Sequence, residues 1–360
     1  DFRPSLSFHF DEVFDIVANE VKNIQNNVGL TEVNGFNRFE ISGPDANGFV
    51  ERIFCGNITQ KSGRVSLGYL LNDLGMIKSE ATIANIPASD RGPKRMWYGS
   101  AAASEFHDMD WLEQNINTDE DVEIRSLTND QTILLIAGPK AREVLSKCSR
   151  EDWSKEAFPW LSIRECFIGF SAATVMSVSF SGELAYEVHV PNESLYAAYL
   201  TLFKAGEEFG MKLFGSRAVE SMRMEKGFLA WKSDLLTEFD PYETGLERFV
   251  NLSKDNFIGK KALQKRINNG LNQKLVCLQV ACKHAPAYGG ASLMEDGKVV
   301  GTITSGDWGH RVNLNLAYAC VNPEKSIEGT QMHLDLLGEV VEVEVIPFGP
   351  YDKTYSRILA

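Results

Sequence analysis

The sequence predicts an α+β protein of more than one domain that ends in an all-β domain. Three observations support this prediction. The chain has 360 residues, more than one compact core usually holds, and 44% of them are hydrophobic. A strand–helix unit occurs twice, as ISGPDANGFVERI from Ile41 and as IAGPKAREVLSKC from Ile136. After about residue 273, short apolar runs are separated by Gly, Asp and Asn, a pattern typical of a β-domain.

The charge balance limits the partners of this chain. Lys and Arg total 36 against 49 Asp and Glu, so the net charge is −13, which opposes binding to phosphate backbones or anionic bilayers. No apolar run approaches the roughly 20 residues of a membrane helix. We therefore expect neither nucleic acid nor membrane as a partner. We expect a cytoplasmic location, or the mitochondrial matrix if a leader has been removed upstream of Asp1.

The cysteines and histidines predict no metal site. Six cysteines are scattered without any CxxC pair, which favours reduced thiols, and the six histidines show no HxH or HExxH spacing.

The remaining elements are predicted from periodicity and turn residues. Apolar residues at helical spacing over 10–24 indicate a first helix. Two alternating runs joined by Asn72-Asp73-Leu74-Gly75 indicate a hairpin. In chain order the other predictions are strand 36–42, hairpin strands 65–71 and 78–86, strand 97–102, helix 106–115 with Ser104 as its cap, strand 132–137, and helices 195–209 and 216–227.

The stretch SVSFSGELAYEVH contains two unusual carboxylates. Its runs 177–180 and 184–189 alternate as strands do, and Gly182 between them permits a tight turn, so a hairpin is predicted. Glu187 lies inside the second strand, where β-propensity disfavours Glu. It is either a residue on the wet face of a strand or a fixed acceptor for two parallel N–H groups on a planar ligand such as a pterin.

This stretch carries a family resemblance. SFSGELAYE resembles the Y-T-G-E-x-G-x-E signature of the folate-binding aminomethyltransferase (glycine cleavage T-protein) family. Further ordered matches extend over nearly the whole chain: MRMEKGFLAWKSDL, PYETGLERFV, DNFIGKKAL and GTITSGDWGHRVNLNLAYACV. The chain is most similar to the dimethylglycine dehydrogenase branch of the family.

The resemblance implies a three-domain cloverleaf with tetrahydrofolate in a central hole. Two related α+β domains and a C-terminal β-barrel form this fold. The implied boundaries are residues 1–50 with 150–268 for a discontinuous folate-binding domain, 51–149 for the second α+β domain, and 273–360 for the barrel.

The resemblance also implies folate contacts. Glu187 falls on the pterin-binding glutamate, and Phe180 replaces the signature tyrosine but keeps a ring that can pack on the ligand. Arg223 is retained from the family helix, although a structural ion pair is an alternative role for it. The full set of implied tetrahydrofolate contacts is Glu187, Phe180, Glu183, Arg223, Trp231 and Trp308.

The implied catalytic position departs from the family. The essential aspartate of a G-G-I-x-D-D strand is matched here by Ser79, and Glu80 follows it. Because neighbouring strand residues point to opposite faces, Glu80 can take over only through a bulge or a one-residue slip. A carboxylate is nevertheless the better proton acceptor, so we predict that Glu80 contributes more to turnover than Ser79. His107 and Asp108 are interpreted as a polar pair at a helix start.

The resemblance implies a tetrahydrofolate-dependent one-carbon transferase, either an aminomethyl or methyl transferase or a demethylase, acting on a small methylated amine or onium compound. Two alternatives stay open: the folate-binding half of a flavin-dependent dimethylglycine or sarcosine dehydrogenase, and a non-catalytic folate-binding protein. The sequence has no G-x-G-x-x-G at a strand–helix junction, so no flavin site is visible in it. Oxidation of a tertiary amine would therefore require a flavoprotein domain or subunit as partner.

Overall fold

The structure is a computed structural model that describes residues 7–360, so residues 1–6 of the predicted segment 1–50 lie outside it. Its α-helices are α1 (Val13–Asn26), α2 (Ala46–Ile53), α3 (Glu105–Gln114), α4 (Ala141–Cys148), α5 (Leu195–Gly206), α6 (Ser216–Lys226) and α7 (Lys260–Asn269). None of the described helices is long and apolar enough to cross a membrane.

The strands of the described chain are β1 (Gly29–Glu32), β2 (Phe36–Ser42), β3 (Val65–Leu71), β4 (Ile77–Ile86), β5 (Arg95–Ala101), β6 (Glu123–Ser126), β7 (Gln131–Ala137), β8 (Ile163–Ile168), β9 (Ser171–Met176), β10 (Ala185–Pro191), β11 (Lys212–Leu213), β12 (Lys274–Val280), β13 (Ser292–Glu295), β14 (Lys298–Gly309), β15 (Leu314–Val321), β16 (Gln331–Leu336) and β17 (Glu339–Ile346).

These strands form two open sheets and one barrel. The six-stranded sheet has the order β11-β1-β7-β10-β9-β8, and the five-stranded sheet has the order β3-β4-β5-β2-β6. Strands β12 to β17 close into a barrel in the order β12-β15-β14-β13-β16-β17. The predicted fold class, two α+β units plus a C-terminal β-barrel, is confirmed.

The predicted repeat is present as two strand–helix units, β2 with α2 and β7 with α4. Gly43 and Gly138 each connect strand to helix with positive φ, +112° and +130°. A Cβ on Gly43 would lie 2.2 Å from the Asp121 carbonyl oxygen, and one on Gly138 would lie 2.4 Å from that of Asn27. Both turns therefore need glycine for conformation and for space.

The sheets divide the chain differently from the predicted boundaries. Strand β2 pairs with β5 and β6 in the five-stranded sheet, whereas β7 pairs with β1 and β10 in the six-stranded sheet. The five-stranded unit is thus one continuous segment, β2 to β6, inserted into the six-stranded unit. Boundaries at residues 50 and 150 separate each repeat copy from its own sheet. The repeat alone does not show which strands pair when they lie far apart in the sequence.

The hairpin forms between β9 and β10 and not between the predicted runs 177–180 and 184–189. Strand β10 pairs with β9, with Glu187 opposite Met176, and residues 177–184 form the loop between them. The prediction of a strand at 177–180 is wrong because local hydrogen bonds hold this segment as a loop. The Ser179 hydroxyl accepts from the Gly182 N–H at 3.1 Å and donates to the Glu183 carbonyl at 2.6 Å. The positive φ expected at Gly182 is confirmed, at +79°.

The two open sheets face each other. One face of the five-stranded sheet carries Phe39, Ile83 and Tyr98 in a core with α2 and α3. The opposite face carries Val65, Ala84 and Trp97, which pack against Ile163 and Met176 of the six-stranded sheet. We call these two facing surfaces the inner faces. The candidate site lies on them.

Candidate functional site

Glu187 lies on the inner face of β10. Its neighbours Tyr186 and Val188 point the other way, into the core that α4 and α5 cover. The Glu187 side chain keeps 16% of its exposure, and its Oε2 lies 3.1 Å from Nε2 of the buried His189. Glu187 is therefore held between two sheets rather than on an outer wet face. His189, two residues further on the same strand face, was missed by sequence reasoning although the spacing could have revealed it.

Trp97 stands across the gap from this pair. Its indole meets the His189 ring edge to face, with centroids 5.2 Å apart. The indole also lies over Gly99, where a Cβ would come within 2.2 Å of the Trp97 ring. Gly99 is the register partner of Arg38 on β2, so a flat aromatic surface borders the position of Arg38.

Arg38 is a buried arginine with free donors. Only 2% of the residue is exposed. Its Nη2 donates to the Thr128 carbonyl, whereas Nε and Nη1 have no partner among the described residues. Burial lowers the pKa of the guanidinium, and the nearby carboxylates of Glu105 and Glu187 oppose that shift. Sequence reasoning missed Arg38, although the alternation of FNRFEIS places it opposite the core residues Phe39 and Ile41.

Ser79 and Glu80 follow a bulge in β4 and face opposite sides of the strand. Leu70 pairs with Ser79 and Leu71 with Ile77, which leaves Lys78 as an extra residue on β4. Ser79 is fully buried and donates a 2.9 Å hydrogen bond to Asp108 Oδ2 on α3. Glu80 follows on the inner face. Burial, helped by the Asp108 carboxylate, raises the pKa of Glu80 to about 7.

Asp108 is more than a surface residue at a helix start. It is 1% exposed and accepts hydrogen bonds from Ser79 and Ser100 through Oδ2, while Oδ1 has no hydrogen-bond partner among the described residues and lies 3.8 Å from His107 Nδ1. Beside it, Nζ of Lys78 lies 2.7 Å from Nδ1 of His107. Asp108 therefore places a buried negative charge directly behind the strand that carries Glu80.

Glu183 fastens the loop that precedes β10. Its Oε1 accepts from Arg311 Nη1 at 2.8 Å and from the Tyr351 hydroxyl at 2.7 Å. Its Oε2 accepts from Arg357 Nε at 2.7 Å, and the residue is 1% exposed. The expected folate contact is not supported, because these bonds tie Glu183 to the barrel and the C-terminal segment.

Arg223 has the alternative role considered for it. Its fully buried guanidinium pairs with Asp234 and Glu220 and donates to the Phe228 carbonyl at 3.1 Å. A side chain enclosed by these partners anchors α6 to the following segment. These partners favour the structural role, and the folate contact of Arg223 stays a prediction.

The three remaining aromatic candidates each contact a different set of residues. Trp308 packs against Phe10 and Phe14, with centroids 5.8 and 5.7 Å away, at the junction of the barrel with the α1 region. This position does not support its expected folate contact. Trp231 donates from Nε1 to the Ser104 hydroxyl at 2.7 Å. The Ser104 side chain makes no capping hydrogen bond to α3.

Phe180 stacks on Phe228 with centroids 6.1 Å apart and an interplanar angle of 12°. The folate contacts of Phe180 and Trp231 stay predictions.

A cavity of about 450 Å³ reaches Trp97 and His189 from the edge of the two sheets. Its wall includes an ion-pair network in which Arg95 contacts Glu40 at 2.8 Å and Glu165 at 2.6 Å. The Arg95 guanidinium is thus paired with the carboxylates of Glu40 and Glu165. Within residues 7–360, no group of three or more His, Cys, Asp or Glu side chains is arranged to hold a metal ion.

An enzyme that handles a flat, polar heterocycle fits this combination: a strand carboxylate between two sheets, a buried guanidinium with free donors, and a second carboxyl that titrates near neutrality. The family comparison defines that class. A model described as the GCVT N-terminal domain matches residues 2–254, and one described as the glycine cleavage T-protein C-terminal barrel domain matches residues 273–352.

The chain belongs to the glycine cleavage T-protein family, whose aminomethyltransferases are enzymes that transfer one-carbon units to tetrahydrofolate.

Curated relatives and a solved structure agree with this assignment. Human mitochondrial dimethylglycine dehydrogenase is 34% identical over 94% of this chain and 38% of its own length. An aminomethyltransferase of Thermoanaerobacter pseudethanolicus is 25% identical over 96% of this chain and 92% of its own length. The crystal structure of aminomethyltransferase T from Bartonella henselae has a TM-score of 0.84 at 20% identity, covers 98% of this chain and 94% of its own, and shows the shared fold.

The dehydrogenase relatives are much longer than this chain. The chain spans 38% of the human protein and 39% of the mouse dimethylglycine dehydrogenase. The family resemblance and the fold class inferred from the sequence are confirmed.

Proposed function

We propose that this chain binds tetrahydrofolate between its inner faces and transfers a one-carbon group to it from a small methylated amine or onium compound. Glu187 carries the proposal. Its hydrogen bond to His189 leaves acceptor capacity on the carboxylate, and a pterin edge offers two parallel N–H donors that match it. Because the strand is paired on both sides, the carboxylate is positioned before the ligand arrives.

Glu80 supplies the acid–base chemistry of the proposed reaction. A carboxyl with a pKa of about 7 is populated in both protonation states near neutral pH. As a carboxylate it can stabilise a cationic one-carbon donor and accept a proton released when the new bond forms. Tetrahydrofolate supplies the nucleophilic nitrogen. The residues of this chain align it with the donor and hold the proton.

The names of the longer relatives support a proposal for the source of the one-carbon group. Because the chain spans only part of proteins named dimethylglycine dehydrogenase and sarcosine dehydrogenase, we propose a flavoprotein domain or subunit as its partner. That partner would oxidise the methylated amine, and this chain would capture the product as methylenetetrahydrofolate. The proposed location is the mitochondrial matrix or the cytoplasm, wherever this partner works.

The second candidate is methyl transfer from an onium donor by the chain alone, since a sulfonium or quaternary ammonium has a neutral leaving group. Chromatography of the folate product separates the two routes. With dimethylglycine, methylenetetrahydrofolate should appear only when a flavin-dependent amine dehydrogenase is added. Methyltetrahydrofolate formed from dimethylsulfoniopropionate or glycine betaine without that addition would favour the second route.

Titration calorimetry with tetrahydrofolate tests the binding site. Loss of a buried, charge-assisted bidentate pair costs about 2–4 kcal/mol, so Glu187→Ala should weaken binding at least about thirtyfold. Glu187→Gln, which keeps the shape, should also bind weakly. The matched control is Glu344→Gln, which changes an exposed strand glutamate of the barrel. Equal affinity in the parent and both Glu187 variants would overturn the proposed site.

A further inference from the structure

The unpartnered donors of Arg38 need an explanation. A guanidinium removed from water loses its hydration, and native proteins give the large majority of buried polar groups a hydrogen-bond partner. Here the residue is 2% exposed, yet only Nη2 makes a hydrogen bond, and it goes to the Thr128 carbonyl. Nε and Nη1 are free of partners within the described chain. Donors left open in this way are suited to a ligand acceptor.

Strand registers place these donors beside Glu187. Arg38 lies one inner-face position along β2 from Glu40, the register partner of Trp97. The indole of Trp97 extends over Gly99, the partner of Arg38, and touches His189, which holds Glu187. The carboxylate and the guanidinium therefore belong to one small region between the sheets, with the indole along its side.

We propose that Arg38 recognises the 4-oxo group of the pterin and thereby sets the ligand specificity of this site. The inference rests on the proposed function. A 2-amino-4-oxopyrimidine ring presents two N–H donors and a carbonyl acceptor in a row. Glu187 accepts from the donors, and Arg38 donates to the carbonyl. In the 4-amino analogue the group at C4 presents donors to Arg38, which has no acceptor, and ring N3 carries no hydrogen for Glu187 to accept, so the site disfavours the analogue at two positions.

The test compares two ligands by calorimetry: tetrahydrofolate and its 4-amino analogue, tetrahydroaminopterin. The parent chain should bind tetrahydrofolate at least about tenfold more tightly than the analogue, since charged hydrogen bonds discriminate strongly against a mismatched group. Arg38→Met keeps an apolar stem without donors and should reduce the ratio at least about threefold, leaving the part of the preference that comes from the missing N3–H opposite Glu187. The ratio should fall mainly because the variant binds tetrahydrofolate more weakly.

A second variant and a control keep the result interpretable. Arg38→Gln supplies both a donor and an acceptor, so it can pair with either group at C4 and should reduce the ratio to a similar extent. Arg125→Met is the control, because Arg125 lies on the neighbouring strand β6 with 61% of its side chain exposed and should leave the ratio unchanged. Thermal melting confirms that each variant is folded.

The outcomes separate this inference from the proposed function. A parent chain that binds tetrahydrofolate, together with folded Arg38 variants that keep the parent preference, would overturn the role of Arg38 and leave the proposed function standing. A parent chain that does not bind tetrahydrofolate would overturn both.

Discussion

The Ser79 hydroxyl donates to Asp108 Oδ2 across 2.9 Å, so the residue in the place of the family's essential aspartate faces a buried core rather than the inner faces. The next residue, Glu80, is on the opposite side of β4, beyond the bulge at Lys78. The strand geometry therefore shows which of these two neighbouring residues points to the inner faces: it is Glu80 and not Ser79. A carboxyl group is presented to the inner faces although the aspartate is absent.

We expect Glu80→Gln to lower turnover at least about tenfold, because the variant can neither accept a proton nor oppose a cationic donor. Ser79→Ala should change turnover less than threefold and act mainly on stability, since it leaves Asp108 with one hydrogen bond fewer. Assays of turnover at saturating tetrahydrofolate decide the matter. Loss in Ser79→Ala with normal turnover in Glu80→Gln would reverse the assignment.

The rate should rise with pH around the pKa of Glu80. Burial and the Asp108 charge both favour the protonated form, so the carboxylate becomes abundant only above a pKa of about 7. Turnover measured from pH 6 to 8 should increase with a midpoint near 7 in the parent and be flat in Glu80→Gln. A parent profile without any inflection in that range would contradict the role of this carboxyl.

Stability should respond to pH in the opposite direction. A carboxyl whose pKa is higher in the folded chain than its ordinary value of 4.5 binds its proton more tightly when folded. Its contribution is therefore complete below pH 4.5 and is lost as the pH rises to about 7. The melting temperature of Glu80→Gln relative to the parent should increase between pH 5 and 8. An unchanged difference would show that Glu80 titrates normally.

Glu183→Ala should destabilise the chain by about 3 kcal/mol, because it leaves the fully buried Arg311 with one carboxylate partner fewer, while the half-exposed Arg357 retains solvent. Denaturant unfolding measures this loss. Glu193→Ala, at an exposed glutamate just after β10, is the matched control and should change the free energy of unfolding by less than about 0.5 kcal/mol. Equal stabilities of the two variants would show that the Glu183 network is dispensable.

Arg223→Lys should lower the melting temperature while tetrahydrofolate affinity changes less than about threefold. Lysine cannot reproduce the forked contacts to Asp234 and Glu220, so the effect falls on the anchoring of α6. Calorimetry at a temperature where both proteins are folded separates the two effects. A large loss of affinity at unchanged stability would restore Arg223 as a ligand contact.

Local patterns determined much of this protein. The alternation at 65–71 and 78–86, the helical spacing near α1 and the repeated Gly-Pro turns follow from short-range rules of the backbone, and the structure contains each of them. The family signature placed Glu187 correctly on a strand. In each of these cases, the residues that decide the conformation lie within a few positions of one another.

Tertiary structure decided the rest. Whether Glu183, Arg223 and Trp308 face a ligand or another part of the protein depends on Arg311, Asp234 and Phe14, which only folding brings to them. The same holds for Arg38, which only the pairing of β2 with β5 brings beside Gly99 and the Trp97 indole that lies over it. Packing of the two sheets brings Trp97 of β5 against His189 of β10, and an isolated strand pattern shows which side a residue occupies but not what lies opposite it.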